Sequence, residues 1–240
     1  MNFKSILWSS ALLAIMLATG CGKAPAHGSS NSPGAHRPAI VLPEHFKEVA
    51  GPVRWAPEKR AFEAQGQALR AEKVWVFDGA NDGFSMTSGE ISPAQGAGLA
   101  LDEIGADSQL LSPRGLNIDG HNRSLVLVRL TRVRAGPPFD GTLYYSTATH
   151  GVSDAYHGRL VLGEDPKVGE TAVLGFDMHK LSKGEADWRS SIIDRLRLDL
   201  DDGAGGAFII HQIAITQNPG TITLRAPKSG AAVKPASWAP

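Results

Sequence analysis

The stretch that most restricts the fold is Ile192–Leu200, IIDRLRLDL, where polar and apolar residues alternate strictly from Arg195 onward. Leu196, Leu198 and Leu200 fall on one side, Arg197 and Asp199 with Arg195 on the other. A period of two belongs to a β-strand with one dry face and one wet face. Short segments of the same kind recur along the chain: VWVF, GLALDE, RGLNI, SLVLVRLTRV, GTLYYST, GRLVLG, TAVLGFDM and AFIIHQIAI. Turn formers separate them, from a total of 27 glycines and 15 prolines. With no long helical stretch between them, such strands predict an all-β sandwich or barrel of antiparallel strands. SLVLVRLTRV is apolar on both parities at its start, as in a central strand covered on both faces. In AFIIHQIAI, Phe208 and Ile210 share one parity while Ile213 and Ile215 share the other. Both pairs reach one core only if a β-bulge at His211–Gln212 shifts the phase. This strand and the one ending at Leu200 read as a closing hairpin. KGEADWRSSI reads as a single helical turn, with Trp188 as a core plug.

The N-terminus has another character. Lys4 precedes the apolar run ILWSSALLAIMLA, which is short for a bilayer-spanning helix. Small residues in LATGC then lead to Cys21, the single cysteine of the 240 residues. A lone cysteine has no disulfide partner and no thiolate cluster to join. LATGC resembles the lipobox of bacterial lipoproteins, with Leu17 one place before the usual leucine position and Ala18 in it. That resemblance implies a signal peptide at 1–20 and acylation of Cys21, with palmitate-type chains holding the protein to a membrane. Gly22 stands where an aspartate would imply inner-membrane retention, so the implied location is the cell envelope, at the outer membrane in a Gram-negative host. Residues 21–43 read as the lipidated cysteine and a disordered tether, reaching on the order of 25 Å. His27 and His36 are spacers in it. Residues 44–73 form a lead-in segment in which Pro57 offers a helix start and Gly66 weakens it, leaving a short helix or an irregular strand open. Residues 74–216 are the sandwich, and 217–240 a short strand with a Pro/Ala-rich tail. Basic and acidic residues balance at 24 each, which gives no electrostatic case for nucleic acid as a partner.

Several motifs, in order, resemble a known family. VWVFDGANDGF resembles the Trp-x-Phe…Gly-aromatic opening of jelly-roll β-sandwich modules. GLALDEIGADSQLLSPRGLNIDG, then LVLVRL and LYYSTAT, resemble their following blocks. WRSSIIDRLRLDL and FIIHQIAI resemble their closing pair of strands. The resemblance spans Val74 to Ile215 and is to galactose-binding-domain-like, carbohydrate-binding-module-like sandwiches. It implies a jelly-roll fold, and association with polysaccharide as the common setting. His211 and Gln212 stand where the family often has Asp and an aromatic, and Leu200 replaces a closing proline. Family roles at those positions do not carry over.

The wet face of the closing strands is the first candidate site. Arg129, Arg197 and His211, with Arg195 and Asp199, are expected on one sheet surface. Tyr145, with Tyr144 or Trp75, would supply an aromatic face for sugar C–H groups. The competing reading is the ordinary solvated side of an antiparallel sheet with Arg–Asp pairs across strands. Asp78, Asn81 and Asp82, and the acidic turn DLDDGAGG, offer oxygen ligands for a structural Ca²⁺. They lack the spacing of a calcium loop, and Asn-Asp-Gly is foremost a turn former. THGVSDAYHGR gathers His150, Ser153, Asp154 and His157, too close together for a catalytic triad, and reads as a solvated loop. No catalytic residue emerges and no other cofactor is implied. The functional expectation is a lipid-anchored envelope protein with a non-catalytic β-sandwich that binds a glycan or exopolysaccharide. The alternative is a structural or protein-interaction lipoprotein among envelope proteins, and a hydrolase comes third.

Overall fold

The computed structural model describes residues 46–220, other than 97, 104 and 137. Cys21, the tether and the tail from residue 221 lie outside the described residues. Sixteen strands follow in chain order: β1 (Lys47–Glu48), β2 (Val53–Ala56), β3 (Ala61–Ala64), β4 (Gln67–Ala68), β5 (Ala71–Trp75), β6 (Ser85–Thr87), β7 (Glu90–Pro93), β8 (Leu99–Asp102), β9 (Gln109–Leu111), β10 (Ile118–Asp119), β11 (Leu125–Arg134), β12 (Phe139–Thr147), β13 (His157–Arg159), β14 (Glu170–Asp177), β15 (Ile192–Asp201) and β16 (Ala207–Thr216). One helical turn, α1 (Asp187–Ser190), precedes β15.

These strands make a sandwich of antiparallel sheets, the all-β class that the alternation predicts. Seven strands form one sheet in the order β1-β14-β11-β16-β8-β7, with β5 also on β16. Six form the other in the order β13-β12-β15-β9-β6, with β10 also on β15. The exception to antiparallel pairing is the short edge strand β1, parallel to β14. Between the sheets lie Leu196, Leu198 and Leu200 of β15, Val126, Val128 and Leu130 of β11, and Phe208, Ile210, Ile213 and Ile215 of β16. Each such side chain, once buried, contributes about 1.5–3 kcal/mol. Trp188 does plug this core, and its indole N–H donates to the Arg123 carbonyl at 2.7 Å.

The bulge in β16 is present. Gln212 pairs with Arg129 and Ile210 with Leu130, so His211 is the extra residue that lets both isoleucine pairs face inward. The double-sided apolar character of β11 also has its cause. Leu125 and Leu127 point outward and are covered, with Val173 and Ala214, by Val53, Phe62, Ala64 and Leu69. These belong to a three-stranded sheet, β2-β3-β4, and its continuation. The lead-in segment is therefore strand structure. Pro57 opens only a single 3-10 turn, Pro57–Lys59, ended by Arg60 at φ 47°.

One expectation is corrected. β15 and β16 do not form a hairpin. β15 lies between β12 and β9 in the six-stranded sheet, and β16 between β11 and β8 in the seven-stranded sheet. The turn after Asp201 passes from one layer to the other. Both strands are long and apolar on one parity, and such strands satisfy the same core equally well by facing each other across it.

Candidate functional site

The two outer faces differ. That of the seven-stranded sheet is covered over β11 and β14 by the β2-β3-β4 layer. The opposite face, on the six-stranded sheet, carries a polar array. On β12, Leu143 and Tyr145 point inward, so Thr142, Tyr144 and Ser146 point outward. Across from them on β15 stand Asp199, Arg197 and Arg195 respectively. Gln109 and Leu111 of β9 continue the face.

Arg197 organises its centre. Its guanidinium lies over the Tyr144 ring at 4.5 Å from the centroid. Its Nε donates to Asp199 Oδ1 at 2.7 Å and Nη2 to Asp107 Oδ1 at 3.0 Å. Burial alone would lower the Arg197 pKa, but the hydrogen bond and charge of Asp199 overcome it and hold the group above its ordinary value. Burial pushes Asp199 up from 3.8 to about 6, outweighing the opposing pull of Arg197. Tyr144 is raised, by burial first and then by the charge of Asp199.

Beside this centre lies an open groove of about 570 Å³. Its walls are Gln109, Leu111, Arg114, Arg195 and Arg197, Ser146 on its floor, and the loop from Thr147 to Val152. His150, in that loop, is stacked on Tyr156 at 3.6 Å between ring centroids. Its Nε2 is 2.9 Å from Asp187 Oδ2, which also accepts the Tyr145 hydroxyl at 2.9 Å. His157 is buried and its Nδ1 is 3.0 Å from the Asp154 carbonyl. The loop is largely exposed, as expected, at Thr149, Gly151, Ser153, Asp154 and Ala155, and His150 ties it to Asp187 of α1.

Of the residues proposed from the sequence, Arg197 belongs to this face, with Arg195, Asp199 and Tyr144 beside it. Tyr145 does not: it is 0% exposed, its ring packs on Trp188 at 4.9 Å, and burial raises its hydroxyl pKa, reinforced by the hydrogen bond to Asp187. Tyr144 is the outward aromatic; Trp75 is buried against Phe84. Arg129 and His211 lie on the outer face of the other sheet. Arg129 grips Glu48 through Nε and Nη2 at 2.9 and 2.7 Å, fastening β1, and donates to Gln212 at 3.2 Å. His211 Nε2 lies 2.7 Å from Thr131 Oγ1, and its ring approaches Phe46 at 6.4 Å. The sequence expectation does not reach Arg114, Ser146 and His150, which also line the groove. The parity of Leu143 already implied the outward direction of Tyr144 and Ser146, but Arg114 and His150 come from loops with no such signal.

Of the calcium candidates, Asn81 is engaged in turn chemistry and Asp78 in an ion pair at the surface. Asp78 pairs with Arg60 at 3.3 Å, while Asn81 donates to the Phe84 carbonyl and accepts from the Gly83 N–H. Among the described residues no group of three or more His, Cys, Asp or Glu side chains is placed to hold a metal ion.

The acidic turn leads instead to a buried cluster at the end of the sandwich. Arg132, between the Phe139 and Phe208 rings, donates from Nη2 to both Asp201 oxygens at 2.6 and 2.8 Å and also meets Asp165. Glu103 is hydrogen-bonded to Asp201, and both are 1% exposed. Burial, then the charge of Asp201, pushes Glu103 from 4.5 up to about 8, and burial raises Asp201 as well against the pull of Arg132. Glu103 thus keeps its proton and donates it to the Asp201 carboxylate. Gly206 closes over the pair, where a Cβ would fall 2.2 Å from Asp201 Oδ2 and 2.3 Å from Glu103 Oε2.

No protein-family model matches the chain, and no curated protein matches its sequence. Among solved structures it is similar to the CBM22-1 xylan-binding domain of Paenibacillus barcinonensis Xyn10C, at 11% identity and a TM-score of 0.45, covering 63% of this chain and 97% of that one. It is also similar to CBM29_1, a family 29 carbohydrate-binding module from Piromyces equi, at 12% identity and a TM-score of 0.42, over 62% and 93% of the two chains. A third is the low-affinity xylan-binding module CBM86 of Roseburia intestinalis, at 11% and 0.39, over 62% and 96%. These neighbours are carbohydrate-binding modules with a β-sandwich fold. At this degree of likeness nothing that they bind transfers to this chain.

Proposed function

We propose that the chain is a lipid-anchored cell-envelope protein whose β-sandwich is a non-catalytic module that binds glycan on the outer face of the six-stranded sheet. The observation that carries this reading is the contrast between the two outer faces. One is roofed by a further layer, whereas the other is an open groove beside an ordered polar array with one aromatic ring in it. Sugars are held by planar polar groups that bridge neighbouring hydroxyls and by an aromatic surface under their C–H groups. Arg197 supplies the planar polar group, and the Tyr144 ring supplies aromatic surface where the guanidinium does not cover it. The anchor rests on LATGC and Cys21.

Two other readings find less support. A glycosidase needs two carboxyl groups roughly 5 to 9.5 Å apart across a sugar-binding cleft. The Glu103–Asp201 pair is in direct hydrogen-bonded contact inside the fold. An assembly surface needs a contiguous apolar patch. The large apolar side chains exposed among the described residues are Val49, Val168 and Ile192, and Ile192 lies in the other sheet from β1 and β14.

The test is a glycan-array and polysaccharide pull-down screen of the full chain, alongside Arg197→Ala and Tyr144→Ala. Binding that both substitutions weaken at least about tenfold, with the circular-dichroism spectrum unchanged, is the expected result. Failure to bind any polysaccharide overturns the reading.

A further inference from the structure

The groove has a composition that a neutral sugar does not need. Three arginines, Arg114, Arg195 and Arg197, line it, and no Asp or Glu does. The carboxylates that pair with them, Asp107, Asp194 and Asp199, are not among the lining residues. The arginines differ in how far they are neutralised. Arg197 has Asp199 and Asp107 beside it. Arg114 reaches Asp194 at 3.3 Å with its side chain largely exposed. Arg195 has no carboxylate partner among the described residues. Its Nε donates to the Ser112 carbonyl at 2.8 Å and its Nη2 lies 3.4 Å from Ser85 Oγ. Burial holds its pKa below the ordinary value, and the charge of Arg114 lowers it further, against the opposing charge of Asp194. A guanidinium that is partly desolvated and repelled by a second one is stabilised by an anion between them.

A second observation points into the same groove. Ser146 stands opposite Arg195 on β12, is 3% exposed, and its Oγ has no hydrogen-bond partner among the described residues. A buried hydroxyl left unpaired costs about 1–3 kcal/mol, so it is a site where a ligand oxygen gains.

Resting on the glycan reading above, we infer that the groove takes an acidic sugar, whose carboxylate or sulfate ester sits between Arg195 and Arg114 within reach of Ser146. The flat fork of Arg195 suits the bidentate geometry that both anions offer. Arg197 and Tyr144 then hold the ring of this sugar or of its neighbour.

The experiment is isothermal titration of the full chain in detergent with three probes: a hexagalacturonate for the carboxylate, an ι-carrageenan oligosaccharide for the sulfate, and xylohexaose as the neutral control. At least one acidic probe is expected to bind about tenfold or more tighter than xylohexaose, and to weaken several-fold between about 50 and about 300 mM salt. The acidic arm that binds names the anion. Arg195→Gln should remove most of that preference. Arg114→Gln, at a largely exposed side chain, should reduce it in the same direction. If xylohexaose binds as tightly as either acidic probe, the acidic assignment falls while the glycan reading stands. If an acidic probe is preferred but both arginine variants keep that preference, the assignment to this groove falls. Absence of binding to all three removes this inference, and a negative polysaccharide screen then removes the broader reading with it.

Discussion

Replacing Glu103 by glutamine keeps the shape of a buried carboxyl and its hydrogen bond to Asp201 while abolishing its proton equilibrium. In the folded protein this group holds its proton to about pH 8, against 4.5 for the ordinary side chain. Between those values the native state binds more protons than the unfolded chain, so stability falls as pH rises. The stabilising contribution is complete below 4.5 and is lost as pH passes through about 8. From about pH 5 to about pH 8.5 the displacement spans roughly three pH units, at about 1.4 kcal/mol each, or about 4 kcal/mol. Asp199 and Asp201 are also raised and act in the same direction. Glu63, Asp119, Asp154 and Glu170 are lowered and titrate on the acid side of this window. Urea unfolding of the wild type and Glu103→Gln, across that pH range, isolates the Glu103 share as the difference between the two. The variant should gain about 4 kcal/mol relative to the wild type on going from about pH 5 to about pH 8.5. A difference that stays constant across the range would refute the shared-proton account of the pair.

Gly206→Ala should destabilise the fold by about 1–3 kcal/mol, read as a lower Tm, because the methyl group lands on both carboxyls of that pair. Tyr145→Ala should cost about 3–5 kcal/mol of stability as a core truncation, whereas Tyr144→Ala should cost less than about 1.5 kcal/mol and act on glycan binding; parallel urea titrations separate the two. Trp188→Ala should be among the most damaging substitutions, about 3–5 kcal/mol, since it empties a fully buried site and strands the Arg123 carbonyl. Cys21→Ser should leave the domain folded and release it from membrane fractions; a wild-type chain found free of membranes would sink the anchor.

What could be read from the sequence was local parity. Alternation told which side of β15 is dry, and the phase slip in β16 told that His211 is extra, since both follow from one strand and the pleat. Partner choice was not readable. β15 and β16 look like consecutive arms of a hairpin, yet each fits equally well as a strand in an opposite layer. Parity alone therefore puts Arg129 and His211 on one face with Arg197, a face that they do not share in the fold. Tyr144 rather than Tyr145 is the outward ring, as the inward parity of Leu143 on β12 already marks. The groove itself is a product of long-range packing: Arg114 and the loop around His150 reach it from segments that pair with nothing predictable nearby.

The ends of the described fold add a matter of orientation. Phe46 packs on Val133, Ala207 and Ile209, on the outer side of the seven-stranded sheet. At the other end β16 belongs to that same sheet, and Gln217 still bonds to Arg70 of the neighbouring strand's approach. The first and last described residues therefore both lie against the seven-stranded sheet, away from the groove. A support coupled at residue 46 or residue 220 would meet the sandwich from that side and leave the groove turned toward solution.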